Sequence, residues 1–157
     1  MEQHKLNQNV RRMERGQSLV EMSIGLVLVV LIISGILDLG RIYYIYVALE
    51  DAAAEAAIFL SIHPECPTAT SSAQCIGTMN AEYRARNSGG NFVSWTNTTI
   101  ETILPPDGFV DVGEPVTVKI RYTFPLLTPF IPRIAGVNPI TLEATATQII
   151  ISEGTTL

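Results

Sequence analysis

The chain has 157 residues, room for one modest domain plus a helix but not for two large domains. Only 16% of its residues are charged and 47% are hydrophobic, against a usual charged share of about 25%; the surplus apolarity lies near the N-terminus, which points to a membrane segment rather than a larger core. A net charge of −5 leaves no basic footprint for nucleic acid.

Residues 1–16 are polar, with four bases (Lys5, Arg11, Arg12, Arg15) and two acids, and read as a leader that takes no part in the fold. Met22 to Leu37 comes next, sixteen residues without a charge. As a helix it spans about 24 Å, slightly short of the roughly 30 Å bilayer core. Leu19, Val20 and Leu39 extend it, and Ile42 to Val47 continue it. Bases precede the run, whereas the far flank opens with Asp38 and carries one base, Arg41. By the positive-inside rule the N-terminus stays in the cytoplasm and the remainder crosses the cytoplasmic membrane once. Tyr43, Tyr44 and Tyr46 suit the far interface, and Asp38 and Arg41, three apart, suit an ion pair there. A cleaved secretory signal needs small residues beyond the run, and Asp38-Leu39-Gly40-Arg41 stands there instead.

Glu21 is the informative side chain of this region. A carboxylate at the edge of an uncharged helix is costly and by default marks function; the plain alternative is that it reaches the headgroups. If a peptidase cuts between Gly16 and Gln17, the new amine lies close enough for Glu21 to neutralise it, in the same chain or in a neighbouring subunit.

Beyond the interface, Ile42, Ile45, Leu49, Ala52, Ala56 and Phe59 recur in steps of three and four, an amphipathic stalk with a narrow seam. Such a seam packs either on its own domain or on another helix in an assembly. Pro64 ends it. Residues 61–91 are loop-like, with a short helix expected from about Thr78 to Asn87, stopped by Ser88-Gly89-Gly90. Cys66 and Cys75 suit one disulfide in an oxidising compartment. Two separate buried thiols are the alternative, and zinc at His63, Cys66 and Cys75 lacks a fourth ligand.

Residues 92–157 carry strand chemistry. Phe92 to Leu104 is rich in Thr, Val, Trp and Ile, and Pro105-Pro106-Asp107-Gly108 is a turn signal. Val116, Val118, Ile120, Tyr122 and Phe124 alternate with polar residues, as do Ile140, Leu142, Ala144 and Ala146. The expected fold is α+β: a long N-terminal membrane helix continuing as a stalk (17–60), packed on an antiparallel sheet of three to four strands with one wet face. The stretch 124–134, broken by three prolines, either folds back over the sheet or forms an exposed apolar patch. Asn97-Thr98-Thr99 matches a glycosylation sequon, a weak pattern. The two histidines, His4 and His63, sit in no catalytic or metal-binding motif. The reading is of a non-enzyme with no cofactor, no metal site and no catalytic residues.

Gly16 with Glu21 at the fifth following position, ahead of an apolar helix, resembles the type IV prepilin signal, with Met22 where that motif often has an aromatic. The stretch Arg15-Gly16-Gln17-Ser18-Leu19-Val20-Glu21 through Asp38-Leu39-Gly40-Arg41 is similar to the TadE-like minor pilins of tight-adherence (Flp) pilus systems, and Val116 to Pro129 and Ile140 to Thr147 resemble the terminal strands of that family. The resemblance implies a minor pilin or pseudopilin processed after Gly16 by a prepilin-type peptidase, with other pilins or pseudopilins as partners, in the cytoplasmic membrane or in an extracellular pilus. The alternatives are an uncleaved single-pass anchor whose extracytoplasmic domain binds a partner, and a tethered exported enzyme or ligand-binding domain.

Overall fold

A computed structural model describes residues 2–104, 111–126, 136 and 139–152, with side chains from Gly16 onward, Phe92 excepted. One helix, α1, runs Glu2–Ile62. No proline interrupts the sequence before Pro64, and the helix stops two residues short of it, as the steric restriction on the residue before proline requires. The chain divides into two units, Met1–Leu39 and Gly40–Leu157.

In the first unit the apolar run of α1 is solvent-facing: Met22 is 76% exposed, Leu28 57% and Ile36 63%. The Ser23 hydroxyl donates to the Val20 carbonyl at 2.8 Å, so this polar group within the run is satisfied on its own helix.

In the second unit the same helix is a core element. Leu49, Ala52, Ala53, Ala56, Ala57 and Leu60 are fully buried, with Ile45 and Phe59 nearly so. The expected seam therefore packs on its own domain, and Ala53, Ala57 and Leu60 widen it into a stripe. Its partners are one face of a three-stranded antiparallel sheet: β1 (Thr98–Ile103), β2 (Pro115–Phe124) and β3 (Ile140–Ile149), in the order β1-β2-β3. The period-2 pattern decides the faces. Val116, Val118, Ile120, Tyr122 and Phe124 on central β2 are all buried, while Thr141, Glu143, Thr145 and Thr147 on β3 are exposed. The register sets Ile120 between Ile100 and Ala144. Full burial of a side chain such as Leu49 or Leu60 stabilises the fold by about 1.5–3 kcal/mol.

Two boundaries differ from expectation. The first strand begins at Thr98 rather than Phe92, because Gly90–Phe92 and Trp95–Asn97 form single 3-10 turns. Trp95 accounts for this: its indole N–H donates to the Gly90 carbonyl at 3.3 Å, and its ring lies where a Cβ on Gly89 would be, 2.6 Å from the nearest ring carbon. The short helix, α2 (Ala81–Ser88), starts at Ala81 rather than Thr78. Buried Asn80 caps it by accepting from the Tyr83 N–H at 2.8 Å, and its amide donates to the carbonyls of Cys75 and Gly77. Arg84 clamps α2 to α1, its guanidinium 5.4 Å from the Phe59 ring centroid and 3.7 Å from Glu55.

Cys66 and Cys75 form the expected disulfide, with Cα atoms 5.2 Å apart and both residues buried. Closing so short a loop contributes roughly 2–3 kcal/mol by the chain-entropy account. The end of β3 is tied down by the Ile150 N–H to the Glu114 carbonyl at 2.9 Å and by the Ile151 N–H to the Ser61 carbonyl at 2.8 Å, which satisfies an orphan carbonyl in the last turn of α1. The Gly113 N–H reaches the Ile150 carbonyl from a turn that needs φ +99°, a conformation suited to glycine. The Pro105–Gly108 turn and most of the proline-broken stretch lie outside the described residues.

Candidate functional site

Gly16, Gln17 and Glu21 all lie on α1 and are exposed. Gln17 and Glu21 are four apart and so share a helix face. The Gln17 side-chain amide donates to a Glu21 carboxylate oxygen at 3.4 Å. A Cβ built on Gly16 meets nothing within 4 Å. Glycine inside a helix is less favourable than alanine by about 1 kcal/mol, so the fold itself gives no reason for glycine at this position. Gly25, Gly35 and Gly40 share that open setting, unlike Gly89. From Gly16 to Ile62, α1 is long and apolar enough to cross a membrane, and its most apolar window, with a mean hydropathy of 2.6, is not buried at all.

At the other end of the run, Asp38 is buried, 3% exposed, and Arg41 stands one turn further along α1. Arg41 is half-buried, its guanidinium 5.1 Å from the ring centroid of Phe124, the last aromatic of β2.

His63 stacks on Phe59 at 5.1 Å and approaches Glu65 at 3.6 Å. Among the described residues no group of three His, Cys, Asp or Glu side chains could hold a metal. A cleft of about 330 Å³ opens between Tyr44, Val47, Ala48 and Asp51 of α1 and the turn Ser88–Asn91. Its lining holds one carboxylate, Asp51, and no histidine or cysteine with which it could act as acid or base.

One feature of the wet sheet face was not foreseen. Glu143 on β3 accepts from the Arg121 Nε at 2.8 Å and lies 3.3 Å from the Lys119 Nζ, while Arg121 also reaches Glu101 on β1 at 3.5 Å. The hydrogen bond from Arg121, then that from Lys119, holds the Glu143 carboxyl below its ordinary range. Each residue was visible as an outward position of a strand. That they meet is a consequence of the register, which pairs Arg121 with Glu143 and Glu101 with Lys119.

Residues 16–57 match the family of TadE-like proteins. The match opens at Gly16 and ends within the buried part of α1, so the disulfide loop and all three strands lie beyond it. Neither a curated protein nor a solved structure matches the chain.

Proposed function

We propose, from the TadE-like match of residues 16–57, that the chain is a pilin-like protein associated with Tad pili, and within that class a minor pilin or pseudopilin-like structural subunit of a tight-adherence pilus or related secretion machine. It enters the cytoplasmic membrane with its N-terminus inside, is cut between Gly16 and Gln17 by a prepilin-type peptidase, and carries residues 40–157 outside. Asp38 and Arg41 mark the outer interface, and Glu21 neutralises the amine freed on Gln17. The observation that carries this reading is Gly16 itself. It opens the family match and sits in open space on an exposed helix, where the fold makes no use of it. Subunit packing falls to the exposed run from Gln17 to Leu37, because the alanine stripe is occupied within its own domain.

A competing reading, an uncleaved single-pass anchor bearing an interaction domain, draws on α1 running across Gly16 without a break. Intact-mass analysis of chain recovered from peptidase-positive cells separates the two. The processed reading expects residues 17–157, and Gly16→Leu retains the leader. A wild-type chain that still begins at Met1 while the machine assembles rules processing out.

A further inference from the structure

The proposed cut leaves a glutamine at a chain end, and the chemistry of that end rests on the processing reading. An N-terminal glutamine can close on itself. Its amine nitrogen attacks the side-chain carbonyl carbon Cδ, the Cδ–Nε2 bond breaks, the amine's proton passes to the departing nitrogen, and one ammonia leaves. The product is a five-membered lactam. No oxidant, reductant or other reactant is consumed. The lactam nitrogen is not basic, so the closed end offers nothing for a carboxylate to neutralise.

Two features of the helix act on this reaction in opposite directions. The first turn of a helix carries roughly half a positive charge, which repels an ammonium and favours the free amine that attacks. Glu21 opposes closure in two ways. An ammonium paired with its carboxylate has no lone pair with which to attack. The Gln17 amide also donates to Glu21 at 3.4 Å, one turn further along α1, which draws Cδ away from the backbone nitrogen it would have to meet. The reach is natural, because helical side chains lean toward the N-terminus and Glu21 therefore leans back toward Gln17. Both residues are exposed, so among the described residues no packing contact holds either side chain in place.

We propose that Glu21 keeps the Gln17 end open: one carboxylate both pairs the freed amine and restrains the neighbouring amide, and Gln17 cyclises whenever Glu21 is removed or disengaged. Gln17 is thus a modification site, and an acid at position 21 preserves the charge that assembly uses.

The test tracks the intact mass of mature chain from peptidase-positive cells, held in detergent over time, for wild type and Glu21→Ala. Wild type is expected to begin at Gln17 with its full mass, and Glu21→Ala to begin at Gln17 and lose one ammonia at least severalfold faster. Wild type that is already one ammonia lighter, or equal rates for the two chains, overturns the inference and leaves the processing reading standing. A wild-type chain retaining Met1 overturns both. Should Glu21→Ala escape the peptidase, raised salt on mature wild type gives the same answer. Salt screens an exposed ion pair, so ammonia loss must quicken, and a salt-independent rate overturns the proposal.

Discussion

The two parts of α1 share one helical backbone, yet they differ in how apolar they are and meet opposite surroundings. From Gly16 to Ile33 every side chain is exposed, and large aliphatics such as Leu26 and Ile32 stand 62% open. From Leu49 to Leu60, six positions are fully buried beneath the sheet. The difference lies in how the apolar residues are distributed. The first part is apolar all round, so no single stripe can be satisfied by a sheet, and its complement is lipid or other helices. The second part places Glu50, Asp51 and Glu55 on one side and small or aliphatic residues on the other, which one sheet face can cover. One helix is therefore read twice, as an anchor and as the spine of a domain.

The strongest way to break this comparison is to truncate a leucine in each part. Leu49→Ala, at a fully buried site, is expected to destabilise the domain by about 2–5 kcal/mol in denaturant unfolding. Leu28→Ala should stay within about 0.5 kcal/mol. Equal losses would mean that the anchor belongs to the cooperative unit.

Glycines sharpen the contrast at a smaller scale. Gly89→Ala drives a methyl into the Trp95 ring, 2.6 Å away, and is expected to lower stability by about 1–3 kcal/mol, with a change in tryptophan fluorescence. Gly16→Ala meets nothing and leaves thermal unfolding of the domain unchanged. A destabilised Gly16→Ala would give that glycine a packing role and weaken the case that it serves a peptidase.

The smallest effect is expected on the wet face of the sheet. The Glu143 carboxyl is held low by Arg121 and Lys119, so the unfolded chain takes up its proton more readily than the folded one. Its contribution is present above the ordinary carboxylate value of 4.5 and fades as pH falls through the folded value. Glu143→Gln should therefore lower stability slightly at neutral pH, leave it unchanged below the folded value, and so flatten the acid limb, a small effect as suits an exposed pair.

Much of this architecture could be read from local pattern. The alternation at Val116–Phe124 and Ile140–Ala146 predicted both long strands and their faces, and Pro64 marked the end of α1. The cysteine spacing suited the disulfide that forms. Where composition misled, a side-chain contact a few residues away or a helix cap set the boundary. Phe92–Asn97 has strand composition, but Trp95 folds back on Gly89 and Gly90, and turns replace the strand. Asn80, a strong N-cap residue, delays α2 until Ala81. At the candidate site the positions of Gly16, Gln17 and Glu21 were legible as spacing, whereas the open space around Gly16 and the Gln17–Glu21 hydrogen bond needed coordinates.

By itself the sequence determined the elements, their faces and the membrane character of the first apolar run, because hydrophobic period, proline placement and charge are local properties of the chain. Only the tertiary structure decided that the alanine stripe is consumed within its own domain and that Lys119, Arg121, Glu101 and Glu143 form one cluster. Those outcomes depend on strand register and on contacts between residues far apart in sequence, which no window along the chain contains.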